Sequence, residues 1–418
     1  MNTAVKFQTI RATCTVVALA GLLGTLATTP AQAATPVGWE GQALGLSAAQ
    51  QQSQGEGMTV AVLDSGVMEN HPALKGKVTT GPDFLEDGLE PGDRKWGQHG
   101  TAMASDVLKV APKAKILSVR VIDDEKNDTP DVKDLEDLRN QGKSPIEEGI
   151  RYAVDHGADV ISMSLGSSDW FNTYSAEESA AVDYALVAGV PVLASAGNSG
   201  DGLNSVSYPA GYAGVIAVAA IQQNGTRADF STVHTYNDVA APGVAITSAT
   251  NTGGYKPVNG TSPACALAAG VVALMKAKNP KLTPAQVNDV LIATTNRPAG
   301  GGSALLGYGP INAAAAVQAS SSPPEDETAP VAYKGKEYLA TPDGTPKSTH
   351  PELEQELWMT GAVAGGVGLV MLIGGVLLIR SGRRRAPTSA PMGPGGAGGP
   401  GGPGGPGGMM PPQGAYPR

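Results

Sequence analysis

Gly57-Met58-Thr59-Val60-Ala61-Val62-Leu63-Asp64-Ser65-Gly66-Val67 is the stretch whose reading decides the fold. Its apolar run from Met58 to Leu63 is continuous rather than alternating, the pattern of a strand buried on both faces. The run stops on an acid and a Ser-Gly turn. Ile116 to Val121, Val160 to Met163, Pro191 to Ala194 and Val215 to Ala219 repeat the pattern. Between them lie helical patterns, notably Pro145 to His156 and Ala176 to Ala188, each ending in glycine within a residue of the last periodic position. The alternation predicts an α/β fold, a parallel sheet with helices on both faces. Reactive groups in such sheets gather where strands end. Asp64 directly follows the first strand and Asn198 follows the fourth after Ser-Ala-Gly, so both project from one edge.

Chemistry gathers in four tripeptides: Asp64-Ser65-Gly66, His99-Gly100-Thr101, Ala196-Gly197-Asn198 and Gly260-Thr261-Ser262. A serine hydroxyl is a poor nucleophile at neutral pH and needs an adjacent base. His71 reads as a turn residue before Pro72, His156 sits at a helix end, and His234 and His350 lie in polar loops. His99 alone is followed by Gly-Thr and a small-residue run, Ala102 to Ser105, suited to a helix packed close on the sheet. Asp64 can fix its tautomer and stabilise the imidazolium. Ser262 sits at the start of a small-residue helix, Pro263 to Lys278, whose positive end points at the oxyanion that would form. Asn198 can supply a side-chain N–H to that oxyanion.

The ends of the chain differ in kind from its centre. Residues 1–33 carry Lys6, Arg11, an apolar run from Thr15 to Ala27 and a small-residue Ala31-Gln32-Ala33, and so read as a signal peptide. Residues 34–319 read as the folded domain and 320–356, rich in Ser, Pro, Glu, Asp and Thr, as a flexible tether. The stretch from Trp358 to Ile379 carries no charge, and residues 357–380 are long enough to cross a bilayer once. Arg380, Arg383, Arg384 and Arg385 then place the Gly/Pro-rich tail, 381–418, in the cytoplasm and the folded domain outside. A formal net charge of −9, with no basic stripe, argues against nucleic acid as a partner. Once the signal is removed, Cys265 is the remaining cysteine and reads as a small buried hydrophobe. Asp83, Glu86, Asp87 and Asp93 lack regular ligand spacing and read as a solvated acidic loop, so no metal or other cofactor is expected.

In the order Asp, His, Ser, these motifs resemble the subtilisin-like serine proteases, the subtilase family. The likeness runs from about Trp39 to Val317 and includes Gly157 to Gly166, Ala241-Pro242-Gly243 and Gly307-Tyr308-Gly309. It implies an endopeptidase acting on a polypeptide substrate. Asp64, His99 and Ser262 would form the triad, and Asn198 with the Ser262 backbone N–H the oxyanion hole. Ser164, Leu165 and Gly166 would pair with an extended substrate. Signal peptide, protease domain, single span and short tail together also resemble the mycosins, membrane-anchored subtilases of type VII secretion systems in actinobacteria. That narrower likeness implies membrane secretion machinery as a partner, although mycosins carry structural cysteine pairs that the mature chain lacks.

Departures from the family pattern bear on activity. Pro263 follows the serine and biases the preceding residue away from the helical region, which would turn the Ser262 hydroxyl from His99. A catalytically impaired, peptide-binding scaffold is therefore the alternative expectation. Ser105 stands where the family prefers glycine, predicting looser helix packing, and Asp123 to Lys143 reads as a charged insertion.

Overall fold

Seven strands form one parallel sheet in the order β2-β3-β1-β4-β5-β6-β7. They are β1 (Thr59–Asp64), β2 (Val78–Asp83), β3 (Lys115–Arg120), β4 (Val160–Met163), β5 (Val192–Ser195), β6 (Ile216–Ile221) and β7 (Asn237–Pro242). A computed structural model of the chain describes residues 34–124, 144–166, 174–296, 302–326 and 355–382. The signal-peptide reading, nearly all of the 123–143 charged insertion, most of the tether and the tail beyond Gly382 lie outside the described residues.

Successive residues of β1 feed opposite faces, as a doubly covered strand requires. Val60 and Val62 enter the larger apolar core, while Ala61 and Leu63 enter the second. The first core contains α3 (Gln98–Val110) and the helix Thr261–Lys278; the second contains helices α4 (Pro145–Asp155) and α5 (Ala176–Val187). Helices thus cover both faces, as the alternation predicts. Before β1 come two short helices, α1 (Trp39–Ala43) and α2 (Leu46–Gln50). The helix Thr261–Lys278 is α6, followed by α7 (Pro284–Thr294) and α8 (Ala313–Ala319). An antiparallel hairpin, β8 (Ile246–Ala249) and β9 (Tyr255–Val258), delivers the chain to α6.

Strand β1 lies between β3 and β4, so the chain builds outward in both directions from it. Crevices beyond the carboxyl ends of strands open at such a reversal. Asp64 ends β1 there, and Ser164 and Asn198 follow the ends of the neighbouring β4 and β5. Helices α3 and α6 pack directly on each other. Gly270 makes that approach: a Cβ on it would lie 2.6 Å from Val110 Cβ and 2.9 Å from the Val107 carbonyl.

The second unit, residues 353–418, contains α9 (Gln355–Gly382). Its Ala362–Arg380 segment has a mean hydropathy of 2.5 and is long and apolar enough to cross a bilayer.

Candidate active site

Asp64 is fully buried, and both its carboxylate oxygens face the His99 ring. His99 Nδ1 donates to them at 2.9 and 3.0 Å. With the proton on Nδ1, the Nε2 lone pair is free to accept. Burial works against a charged ring, but the Asp64 field and hydrogen bond outweigh it, and the His99 pKa is raised.

The other motif residues lock the loops together. The Ser65 hydroxyl accepts from the Gly100 N–H at 3.0 Å, and Thr101 Oγ1 accepts from the Met68 N–H at 2.8 Å. Gly100 has to be glycine, because a Cβ there would lie 2.1 Å from the Gly66 carbonyl and 3.2 Å from Asp64 Cβ. The hairpin clasps the same loops. His71 Nδ1 accepts from the Ala73 N–H, so its Nε2 donates to the Gly254 carbonyl at 2.9 Å, and Asn251 donates to the Trp96 carbonyl at 3.0 Å.

Helix α6 begins one residue before Ser262, with Gly260 as N-cap and Pro263 at the third helical position. Sequence alone predicts the start at Pro263. The difference costs no hydrogen bond, since the first N–H groups of a helix have no intrahelical acceptor. The Ser262 hydroxyl donates to the Ser164 carbonyl at 3.1 Å, while Ser164 Oγ donates to the Ser262 carbonyl at 2.9 Å. Pro263 therefore leaves Ser262 helical, yet the hydroxyl rests on Ser164 rather than on His99.

Asn198 Oδ1 accepts from both the Thr261 N–H (2.9 Å) and the Thr261 hydroxyl (3.0 Å). Two donors on one atom settle which end of the amide is oxygen. The exposed Nδ2 is left to donate outward, 3.7 Å from a Cβ built on Gly260 beside Ser262. The structure thus pairs Asp64 with His99, Ser262 with Ser164 and Asn198 with Thr261, and Asp64, Ser164 and Asn198 all lie at or just beyond the carboxyl ends of neighbouring strands. Ser164 and Leu165 are buried and Gly166 is exposed beside them.

Three features escape a reading by local pattern. The N-terminus of α3 is capped by Asp124, whose carboxylate accepts from the Gln98 N–H at 2.5 Å and the His99 N–H at 2.9 Å. Asp83 and Asp87 are paired rather than solvated: they hold the buried Arg120 guanidinium at 2.7 and 2.8 Å, with Trp96 against its face. The Ser105 hydroxyl tightens packing instead of loosening it, bonding the Ala102 carbonyl at 2.7 Å and the Ala249 N–H at 2.9 Å. Only Asp124 had a usable signal, an acid just beyond a strand end on the edge that carries the motifs. Cys265 is fully buried, and burial pushes its thiol up to about 12, so it is inert, as read from its neighbours.

The Asp124 charge adds to the Asp64 field on His99. Asp124→Asn keeps a capping oxygen but removes that charge, so the imidazolium loses support and its pKa falls. The acid limb of the pH profile of kcat/KM should move to lower pH, with a stability loss below about 1 kcal/mol. A limb that stays in place or moves upward would refute this reading of Asp124.

The sequence model of the subtilase family matches residues 55–309. The chain belongs to the subtilase family. It is a subtilisin-like serine endopeptidase. This subtilase is 35% identical over 276 residues to thermitase of Thermoactinomyces vulgaris, covering 64% of the chain and 90% of thermitase. It is 37% identical over 276 residues to subtilisin E of Bacillus subtilis strain 168, covering 63% of the chain and 66% of that protein. Among solved structures it resembles the MycP3 protease from the type VII (ESX-3) secretion system. There the TM-score is 0.59 and the identity 29%, over 69% of this subtilase and 90% of that chain.

Proposed function

We propose that this subtilase is an active, membrane-tethered endopeptidase working outside the cell membrane, with Asp64, His99 and Ser262 as its triad. The observation that carries the reading is the hydrogen bond of His99 Nδ1 to the fully buried Asp64. It leaves Nε2 to take the Ser262 proton as Oγ attacks the scissile carbonyl. The carbonyl π electrons move to oxygen, which Asn198 Nδ2 and the Ser262 N–H receive. His99 then gives the proton to the leaving amine, and water, activated the same way, splits the acyl-enzyme.

Substrate binding supplies the trigger. An extended peptide that pairs with Ser164, Leu165 and Gly166 donates an N–H to the Ser164 carbonyl. That displaces the Ser262 hydroxyl from its resting acceptor and frees it to turn toward His99. Loss of one oxyanion donor costs about a hundred- to a thousandfold in kcat, a range set by subtilisin itself.

The apolar α9 followed by Arg383, Arg384 and Arg385 supports a single span with the folded domain outside and the tail in the cytoplasm. Likeness to MycP3 supports secretion machinery as a partner. In this reading residues 34–319 form the protease domain and 320–356 its tether.

A fluorophosphonate probe tests the function on the detergent-solubilised full chain. The expected result is one adduct, on Ser262, lost in His99→Ala. Folded protein that takes no label would overturn the proposal. One observation favours the scaffold reading, the Ser262 hydroxyl held by Ser164. That reading expects Ser262→Ala to leave assembly with a partner and its phenotype intact.

A further inference from the structure

Asn198 is held by a segment that no motif marks, the chain between β6 and β7. Thr232 in that segment is fully buried and bonds both peptide groups that flank the Asn198 Cα. Its N–H donates to the Gly197 carbonyl at 3.0 Å, and its Oγ1 accepts from the Ser199 N–H at 3.1 Å. Four residues on, the buried Tyr236 hydroxyl accepts from the Ser207 N–H at 3.0 Å and donates to the Ala196 carbonyl at 3.2 Å. Burial raises the pKa of this phenol, so it stays a neutral donor. One short segment thus grips the chain from Ala196 to Ser199 at three points.

An oxyanion donor works by being fixed in place before charge develops, so its worth falls with small displacements. Gly197 has a φ of +105°, and glycine turns freely unless its peptides are held. A Cβ on it would lie 2.7 Å from Thr232 Oγ1, so the two segments meet closely here. At its far end the Asn198 side chain is held through Oδ1 by the Thr261 N–H and hydroxyl. Those bonds fix the rotation of the amide but not the position of the Cα that carries it. Two peptide planes meet at that Cα, and Thr232 is bonded to each of them.

The brace is itself anchored. Asn237 Nδ2 donates to the Thr232 carbonyl at 2.9 Å and to the Ala304 carbonyl at 2.8 Å, and His234 stacks on Tyr236 with ring centroids 5.0 Å apart. A shift of this segment would move the amide and leave the bond between Asp64 and His99 as it is.

We propose that Thr232 and Tyr236 are positioning residues for the oxyanion amide: the Thr232 hydroxyl fixes the Asn198 Cα, and Tyr236 fixes the chain two residues ahead of it. This inference rests on the function proposed above and extends its site to two residues that do not touch substrate.

The test uses the detergent-solubilised full chain and steady-state kinetics on a reporter peptide. Thr232→Val keeps the shape and removes the hydroxyl. It should lower kcat about tenfold, part of the roughly hundred- to thousandfold that loss of the donor itself costs, with KM within about twofold of wild type. Thr232→Ser should recover most of that loss. Tyr236→Phe keeps the ring on His234 and should lower kcat about threefold, and it carries the test where the valine variant does not fold. The deciding measurement is a double-variant cycle. In an Asn198→Ala background each change should cost less than about twofold further, because no amide is left to misplace. Losses that persist undiminished in that background belong to the fold at large and overturn the inference. So do folded Thr232→Val and Tyr236→Phe proteins whose kcat stays within about twofold of wild type. In either case wild-type cleavage with label on Ser262 leaves the protease function standing, whereas a wild type that neither cleaves nor takes label overturns function and inference together.

Discussion

Ser262→Ala should lower kcat by about a millionfold, the loss seen in subtilisin when its nucleophile is removed. Folding should be nearly unaffected. The hydroxyl makes one hydrogen bond, to the Ser164 carbonyl, and alanine is the best helix former for a position inside α6. A melting-temperature change of a few degrees, about 1 kcal/mol, is the expected limit. No nearby thiol can take over, because Cys265 lies buried with its ionisation suppressed. His99→Ala should cost a similar amount, and the double variant should be no slower than either single one, since the pair acts as a unit. Steady-state kinetics on a reporter peptide decides the matter. Residual turnover within tenfold of wild type would mean that another group attacks.

Lys109→Met should destabilise the domain by about 3–5 kcal/mol at pH 8, the range for breaking a buried ion pair from one side. Lys109 Nζ lies 2.9 Å from Glu40 and 3.1 Å from Asp106, and all three side chains are fully buried. It also donates to the Thr247 carbonyl at 2.8 Å. Methionine fills the same volume but leaves two facing acids without a counter-charge. Burial, only partly offset by Lys109 and Ser248, pushes Asp106 up to about 6 from 3.8. A carboxyl with a raised folded-state pKa contributes stability at pH below 3.8 that is lost as pH rises through about 6. Without Lys109 the two acids ionise at greater cost, so the deficit should be larger at pH 8 than at pH 5. Urea unfolding at the two pH values measures it, and a variant equally stable at both would contradict the account.

The sequence reveals those parts of this molecule whose signal is local. β1, β3, β4, β5 and β6 are nearly continuous in apolar residues because both faces are covered, and their predicted bounds fall within one or two residues. β2, with Thr79, Thr80 and Asp83, is partly exposed along its whole length, and β9 likewise presents Lys256 to solvent. Neither carries an apolar run, and both are missed. The acid, base, amide and hydroxyl are legible because each sits in a short motif at a strand or helix end. What holds them is not. Asp124 meets His99 across 25 residues of chain, Arg120 reaches Asp87 across 33, and Glu40 reaches Lys109 across 69. Contacts at such separations leave no periodicity. The resting bond between Ser262 and Ser164 is equally hidden: Pro263 hints that the hydroxyl turns away, but only the fold supplies its acceptor.

The match to the subtilase family model begins at residue 55, whereas Glu40 lies ahead of that border. A soluble form trimmed to the matched region would keep every motif and still take from the buried Lys109, on the helix that carries His99, its Glu40 partner. Anyone engineering this enzyme should therefore place the new start upstream of Thr35, whose hydroxyl also reaches the Ser105 carbonyl, and treat the stretch between as part of the catalytic apparatus rather than as a leader.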